Sequence, residues 1–308
     1  MEGFADFFLD PFRFAYMQKA FLITFLVAIP MAAMSSLMVL KGWSLMGDAM
    51  SHAVLPGIVM AFVAGLPLAV GAFGAGLFCA VATGWLSANS RVKEDTVMGI
   101  VFSGMFGLGI VLHVSVRSSL HLDHILFGDM LGVAWADIGT TSILALLCGS
   151  FLVLKWRDLV AQAFDELHAR AIGLRTNWLH YGLLTAIALM IVASLKAVGI
   201  ILSIALLVAP GAIAFLVART FAGMLTVAVG SVVLSALIGI FASFHINSEP
   251  APTMVLCLTG FFIAALVVGQ VRDFRMRRLA TSEETTPAVS DGALQSQPDR
   301  SRSRQAVN

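Results

Sequence analysis

Polar residues along this 308-residue chain are bunched, not interspersed. The stretches 20–40, 53–90, 197–218, 220–244 and 250–271 contain no Asp, Glu, Lys or Arg. Each is long enough to cross the hydrocarbon layer of a bilayer, which takes about 20 helical residues. The short period-two segments of a lipid-facing barrel are absent. The pattern therefore predicts helical spans near 20–40, 45–64, 68–88, 97–115, 138–154, 179–195, 198–218, 223–244 and 251–271, eight or nine in all. Short breaks separate several of them: Lys41-Gly42-Trp43, Gly65-Leu66-Pro67 and 219–223. The stretch 116–137 is too polar for a full crossing and reads as a re-entrant or surface segment.

Composition agrees with the pattern. Mean hydropathy is +0.92. Hydrophobic residues make up 59% of the chain and charged residues 12%, about half the charged share of a soluble domain. One water-facing core cannot hide that much apolar surface, so the fold class is an all-α polytopic transmembrane bundle. Residues 1–17 form an N-terminal segment and 18–272 the membrane domain. Asp6, Asp10 and Lys19 precede an apolar run too long for a cleavable leader, so the first span is expected to be retained. Cys79, Cys148 and Cys257 lie inside apolar runs without CxxC spacing and read as packing residues.

Basic residues concentrate in 91–95, 155–175, Arg219 and 271–278. Placing these on the cytoplasmic side makes the spans alternate consistently and puts the C-terminus inside. An odd number of spans then leaves the N-terminus outside. Residues 273–308 read as a cytoplasmic tail, and from Thr281 onward they hold too little apolar surface to order themselves.

Against this background one stretch, LMGDAMSHAVLPG (45–57), stands out. Asp48 and His52 lie four apart, on one face of a helix. Pro56 continues the stripe and is expected to free the His52 carbonyl. Carboxylate, imidazole and carbonyl together suit a divalent transition metal. The plainer alternative is a helix-capping Asp48 and a His52 hydrogen-bonded to a neighbouring helix. Ionisable groups at membrane depth usually line a pathway or a paired site. Two side chains are too few for a tight site, so further ligands must come from another segment or subunit. His121, Asp123 and His124 form a second, weaker metal-pathway candidate, with solvated loop residues the better reading. Neither a GxxxxGK[ST] phosphate loop nor HExxH is present, so no catalytic machinery is visible in the chain.

The segment 156–178 is amphipathic, with Trp156, Leu159, Ala163, Phe164 and Leu167 on one side. Gly173 stands where a helix would end. From the residues alone the plainer alternative, given the smaller weight, is a surface helix lying on the membrane.

Several ordered motifs resemble the permease subunits of metal-ion ABC importers, which carry manganese, iron or zinc. They are LMVLKGWSLMGDAMSHAVLPGI (37–58), RVKEDTVMGIVFSGMFGLGIVL (91–112), HILFGDMLGV (124–133), FDELHARAIGL (164–174) and VGIILSIALLVAPGAIAFLVAR (198–219). The resemblance covers roughly residues 15–272, and INSEPAPTMVL (246–256) departs from it where a Pro-Gly turn is expected. It implies a dimer of permeases in the bacterial inner membrane, two cytoplasmic ABC ATPase subunits and an extracytoplasmic metal-binding protein. It also implies metal-coordinating roles for Asp48 and His52, which a two-fold axis would double to four ligands. Segment 156–178 becomes the loop that docks on the ATPase, with Phe164, Asp165, Glu166, Ala169, Arg170 and Gly173 at the contact. No permanently bound cofactor and no catalysis by this chain are expected. The divalent metal is cargo: Mn(II) first, then Fe(II), then Zn(II). The rival reading is an ion-gradient-driven secondary transporter with Asp48 as coupling group, which the scarcity of membrane carboxylates disfavours.

The tail gives a direct expectation. A stop codon after Leu279 leaves assembly and uptake nearly unchanged. Reversing Arg272, Arg275, Arg277 and Arg278 to glutamate lowers insertion of the last span, because these charges anchor it. Uptake per inserted molecule in the two variants checks both statements, and loss of uptake in the truncated chain despite normal insertion would refute the first.

Overall fold

The computed structural model describes residues 13–43, 45–92, 94–116 and 128–284, and every regular element among them is an α-helix. The chain divides into a compact unit, Met1–Leu266, and a second unit, Val267–Asn308. The helices are α1 (Ala15–Lys41), α2 (Met46–Ala53), α3 (Leu55–Val63), α4 (Leu68–Ala88), α5 (Glu94–Val116), α6 (Trp135–Phe164), α7 (Glu166–Ala171), α8 (Thr176–Val217), α9 (Phe221–Ile246) and α10 (Pro250–Glu284). Among the described residues eight helical stretches are long and apolar enough to cross a membrane, α2 and α3 together counting as one.

The expected breaks at Lys41-Gly42-Trp43, Gly65-Leu66-Pro67 and around Arg219 are all present. The first is a left-handed C-cap. Gly42 has φ 72°, and the amides of Gly42 and Trp43 donate back to the carbonyls of Val39 and Met38. That closure satisfies carbonyls that would otherwise end the helix unpaired. It also buries Trp43 immediately before α2.

Two expected spans, 179–195 and 198–218, are arms of one 42-residue element, α8, broken at Gly199 (φ 74°, ψ 176°). The hydroxyls of Ser194 and Ser203 lie 2.6 Å apart, nine positions along the chain. On a straight helix that interval spans about 13 Å. The arms therefore fold back on each other at the glycine. The Asp129 amide donates to the Lys196 carbonyl at the bend. Beside it, Lys196 Nζ meets Asp137 Oδ1 at 2.7 Å, tying the bend to the start of α6.

α6 runs ten residues past the expected end of its span at 154. The apolar run stops at Leu154, but Lys155 and Asp158 pair across one turn at 3.2 Å and the helix continues. α10 likewise runs on to Glu284, past residue 272. The tail from 285 onward lies outside the described residues.

The core is centred on α1 and both arms of α8. Fully buried methionines (Met17, Met31, Met34, Met38, Met46, Met50) fill its irregular gaps, a use suited to an unbranched, polarizable side chain. Pro210 interrupts the second arm of α8. Next to it the Gly211 amide donates to Ser35 Oγ at 2.9 Å, so a side chain of α1 repairs the break, as polar groups do inside membranes. The tightest helix crossing is α3 on α4. A Cβ on Gly57 would collide with the Gly71 carbonyl, and one on Gly71 with the Gly57 carbonyl, with Ala61 and Ala75 one turn on.

Gly71→Ala is expected to force α3 and α4 apart and destabilise the fold by about 1–3 kcal/mol. Gly74→Ala, on the same helix but with open space at its Cβ, is neutral or mildly stabilising by up to about 1 kcal/mol. Thermal unfolding of the two purified variants in one detergent measures the contrast, and equal midpoints would remove the crossing's importance.

Candidate functional site

Asp48 and His52 sit on α2, the short helix launched by the Gly42 turn. Asp48 Oδ1 lies 3.3 Å from His52 Nε2, with side-chain exposures of 38% and 27%. The pair is therefore half-open, neither sealed in the core nor free in solvent. It lines a cleft of about 310 Å³ whose far wall is α5: Phe102, Ser103, Phe106 and Gly107. The His52 ring meets the edge of Phe106 at 5.2 Å and lies 6.3 Å from Phe102. These aromatic neighbours exclude water from the imidazole's flank and fix its plane, leaving the nitrogen directed at Asp48 as its polar outlet.

The helix breaks at Val54, just before Pro56, and α3 begins afresh at Leu55. The His52 carbonyl, expected to be spare, takes the amide of Val54. That contact occupies at most one of the oxygen's two lone pairs. Among the described residues no group of three His, Cys, Asp or Glu side chains could hold a metal ion. One chain supplies a carboxylate and an imidazole, and the open cleft is where additional ligands would have to arrive.

The α5 wall went unnoticed in the sequence. Its positions 102, 103, 106 and 107 follow helical spacing, but a Phe/Ser/Gly stripe is indistinguishable from ordinary packing until α2 is laid against it. His121, Asp123 and His124 lie outside the described residues. Asp129 accepts the Gly132 amide at 2.8 Å in a tight turn. With Lys196, Ile58 and Leu68 it lines a separate cavity of about 370 Å³.

The segment 156–178 divides into the end of α6, the six-residue α7 and the first turn of α8. Asp165, in extended conformation, caps α7 by accepting the His168 amide at 2.9 Å. Glu166 and Arg170 pair at 2.6 Å, and Arg170 Nε donates to Thr176 Oγ1 at 3.0 Å. Ala169 is fully buried beneath them, while Phe164, Leu167 and Ile172 are 70%, 78% and 58% exposed. Gly173 carries φ 86° and closes the loop. The result is a rigid knuckle that displays three large apolar side chains. The Trp43 ring meets His180 edge-on at 5.2 Å, so the base of α8 touches a residue three positions before α2.

Eight membrane-length helical stretches among the described residues, with a polar pair open on the flank, define a multi-pass membrane protein. Sequence comparison makes this specific, since residues 13–269 match the ABC 3 transport family. The chain belongs to that family. It is 50% identical over 271 residues to the chelated iron transport system membrane protein YfeD of Yersinia pestis, covering 88% of this chain and 91% of that one. It is 42% identical over 259 residues to the manganese transport system membrane protein MntB of Synechocystis, covering 84% and 85%. Among solved structures, PsaBC from Streptococcus pneumoniae in complex with Fab aligns with a TM-score of 0.75 and 34% identity, covering 85% of this chain and 95% of that chain.

Proposed function

We propose that this chain is the membrane-spanning half of an ATP-driven importer for a divalent first-row metal, Mn(II) or Fe(II), and that Asp48 and His52 are its cargo ligands. The observation that carries the reading is the 3.3 Å carboxylate–imidazole pair on a cleft wall in an otherwise uncharged stretch of helix. Family membership and the iron and manganese names of the relatives support it. Mn(II) and Fe(II) are neighbours in the affinity order of nitrogen and oxygen sites, so one Asp–His pair serves either ion. A second permease copy across the cleft would bring the ligand count to four.

In this reading the metal is held by charge and geometry at a partly wet site, which favours release as well as capture. The energy comes from a cytoplasmic ATPase that receives Phe164, Leu167 and Ile172, while an extracytoplasmic binding protein delivers the ion. The ends carrying Lys41, Arg170 and Arg175 face the cytoplasm, as the positive-inside bias requires.

Asp48→Ala and His52→Ala are each expected to cut uptake of radiolabelled Mn(II) and Fe(II) at least about tenfold, a factor equal to about 1.4 kcal/mol. Expression and ATPase association stay unchanged. Wild-type uptake in either variant would remove the site. Comparing the two ions in the wild-type protein identifies the preferred cargo.

Replacing Glu166–Ala171 by a Gly/Ser stretch should abolish co-purification with the ATPase or metal-stimulated ATP turnover, yet spare membrane insertion. If both activities survive, docking occurs elsewhere.

A further inference from the structure

A groove between two long helices takes no part in the reading above. It runs between α6 and the first arm of α8, has a volume of about 570 Å³, and is lined on the α8 side by Trp178, Tyr181, Gly182, Thr185, Ala186 and Leu189. Those positions follow one helical stripe, and Leu147, Cys148 and Phe151 form the matching stripe on α6. The two helices are held at a fixed distance by Thr141 Oγ1 donating to the Ala193 carbonyl and Cys148 Sγ to the Ala186 carbonyl. Gly182 gives way to the Phe151 ring, which a Cβ there would meet at 2.9 Å. Phe151 in turn packs edge-on against Trp178 at 5.7 Å. The furrow is thus built into the packing of the two helices.

From Trp178 to Leu189 the groove covers twelve residues, about 16 Å of helix. That equals one leaflet, half of a hydrocarbon core of about 30 Å. At its Trp178 end it opens into a smaller pocket of about 280 Å³ lined by Lys155, Asp158, Gly173, Leu174 and Arg175, with Trp178 shared by both. Lys155 is paired with Asp158. Arg175 is exposed and makes no ion pair with any described residue. The sequence of features is thus a cationic mouth, an interfacial tryptophan and tyrosine, then a one-leaflet apolar trench. An aromatic pair at the boundary is what membrane proteins place at headgroup level.

We infer that this groove is a binding site for one anionic phospholipid, its phosphate between Lys155 and Arg175 and an acyl chain along Phe151, Tyr181, Thr185 and Leu189. A purely apolar partner helix would leave the unpaired Arg175 charge unanswered. A free anion would leave the trench unfilled. The lipid satisfies both, and it would brace α6 against α8 at the base of the α7 knuckle. The inference depends on the bundle lying in a membrane and not on which metal, or whether any metal, meets Asp48.

The test uses the full-length chain purified in detergent, with phosphatidylglycerol, phosphatidylcholine and inorganic phosphate as separate probes. Native mass spectrometry counts bound lipid and a thermal shift reads affinity. One phosphatidylglycerol per chain is expected to bind and raise the unfolding midpoint, while the other two probes do neither. The double variant Lys155→Gln, Arg175→Gln should weaken phosphatidylglycerol about 30-fold, two surface contacts at about 1 kcal/mol each. Asp158→Asn should tighten it, an opposite sign that general misfolding cannot mimic. Thr185→Trp, which fills the trench, should displace the lipid without touching the cations. Equal binding of phosphatidylcholine, undiminished affinity in the double variant, or retention of the lipid in Thr185→Trp would each overturn the assignment.

Discussion

Within hydrocarbon an unpaired backbone amide or carbonyl costs several kcal/mol, because no water is there to take the missing bond. Straight helices meet that demand automatically. The informative places in this protein are those where the helices are not straight and something else must supply the partner. At Pro210 it is the Ser35 hydroxyl, reaching from α1 to the Gly211 amide. At the Gly199 reversal the Asp129 amide takes the Lys196 carbonyl, and the two serine hydroxyls meet just inside the bend. At Val54 the chain turns its own amide onto the His52 carbonyl. Each repair is local and polar, and each lies beside a feature with functional weight: the core packing of α1, the fold-back of α8, the Asp48–His52 pair.

That distribution explains what the sequence could and could not disclose. Uncharged runs reveal spans directly, because the bilayer selects on composition over about twenty residues. The pairing of Asp48 with His52 was equally plain, since helical spacing puts both on one face whatever surrounds them. The reversal at Gly199 was less so. The runs 179–195 and 198–218 were told apart, but the turn between them rests on a single glycine, and the Asp129 amide that pairs the Lys196 carbonyl comes from 67 positions away. Composition also misjudged the end of α6, because a helix leaving the membrane can continue on ion pairs as well as on burial. The α5 wall of the cleft is a matter of which helix lies against which, and a Phe/Ser stripe carries no mark of its neighbour. The His52 carbonyl shows the limit of a rule: a proline deprives the oxygen four residues back of its usual donor, but a broken helix can find another.

The two ends of the molecule differ in kind. At the α7 end the exposed surface is aromatic and aliphatic, held rigid by Asp165, Arg170 and buried Ala169. At the opposite end Asp137 and Lys196 form an ion pair over the α8 bend. The first suits a tight protein contact that transmits force, and the second suits water and passing ions. Between them Trp43 joins the base of α8 to the start of α2 through its edge-on contact with His180. The knuckle end and the helix bearing Asp48 and His52 are thus linked by one aromatic contact.

The glycine crossing of α3 and α4 bears on how that helix could respond. Gly57 and Gly71 meet backbone to backbone, with no side chain that can change rotamer to absorb a displacement. Mechanically the contact is a fulcrum: α3 can roll about it but cannot slide without parting from α4. The break at Val54 lies three residues from that fulcrum and two from His52. α2 is thus a short segment set between the glycine contact of α3 on one side and the Trp43–His180 contact on the other. The carboxylate and imidazole therefore ride together on one short, doubly anchored turn of helix.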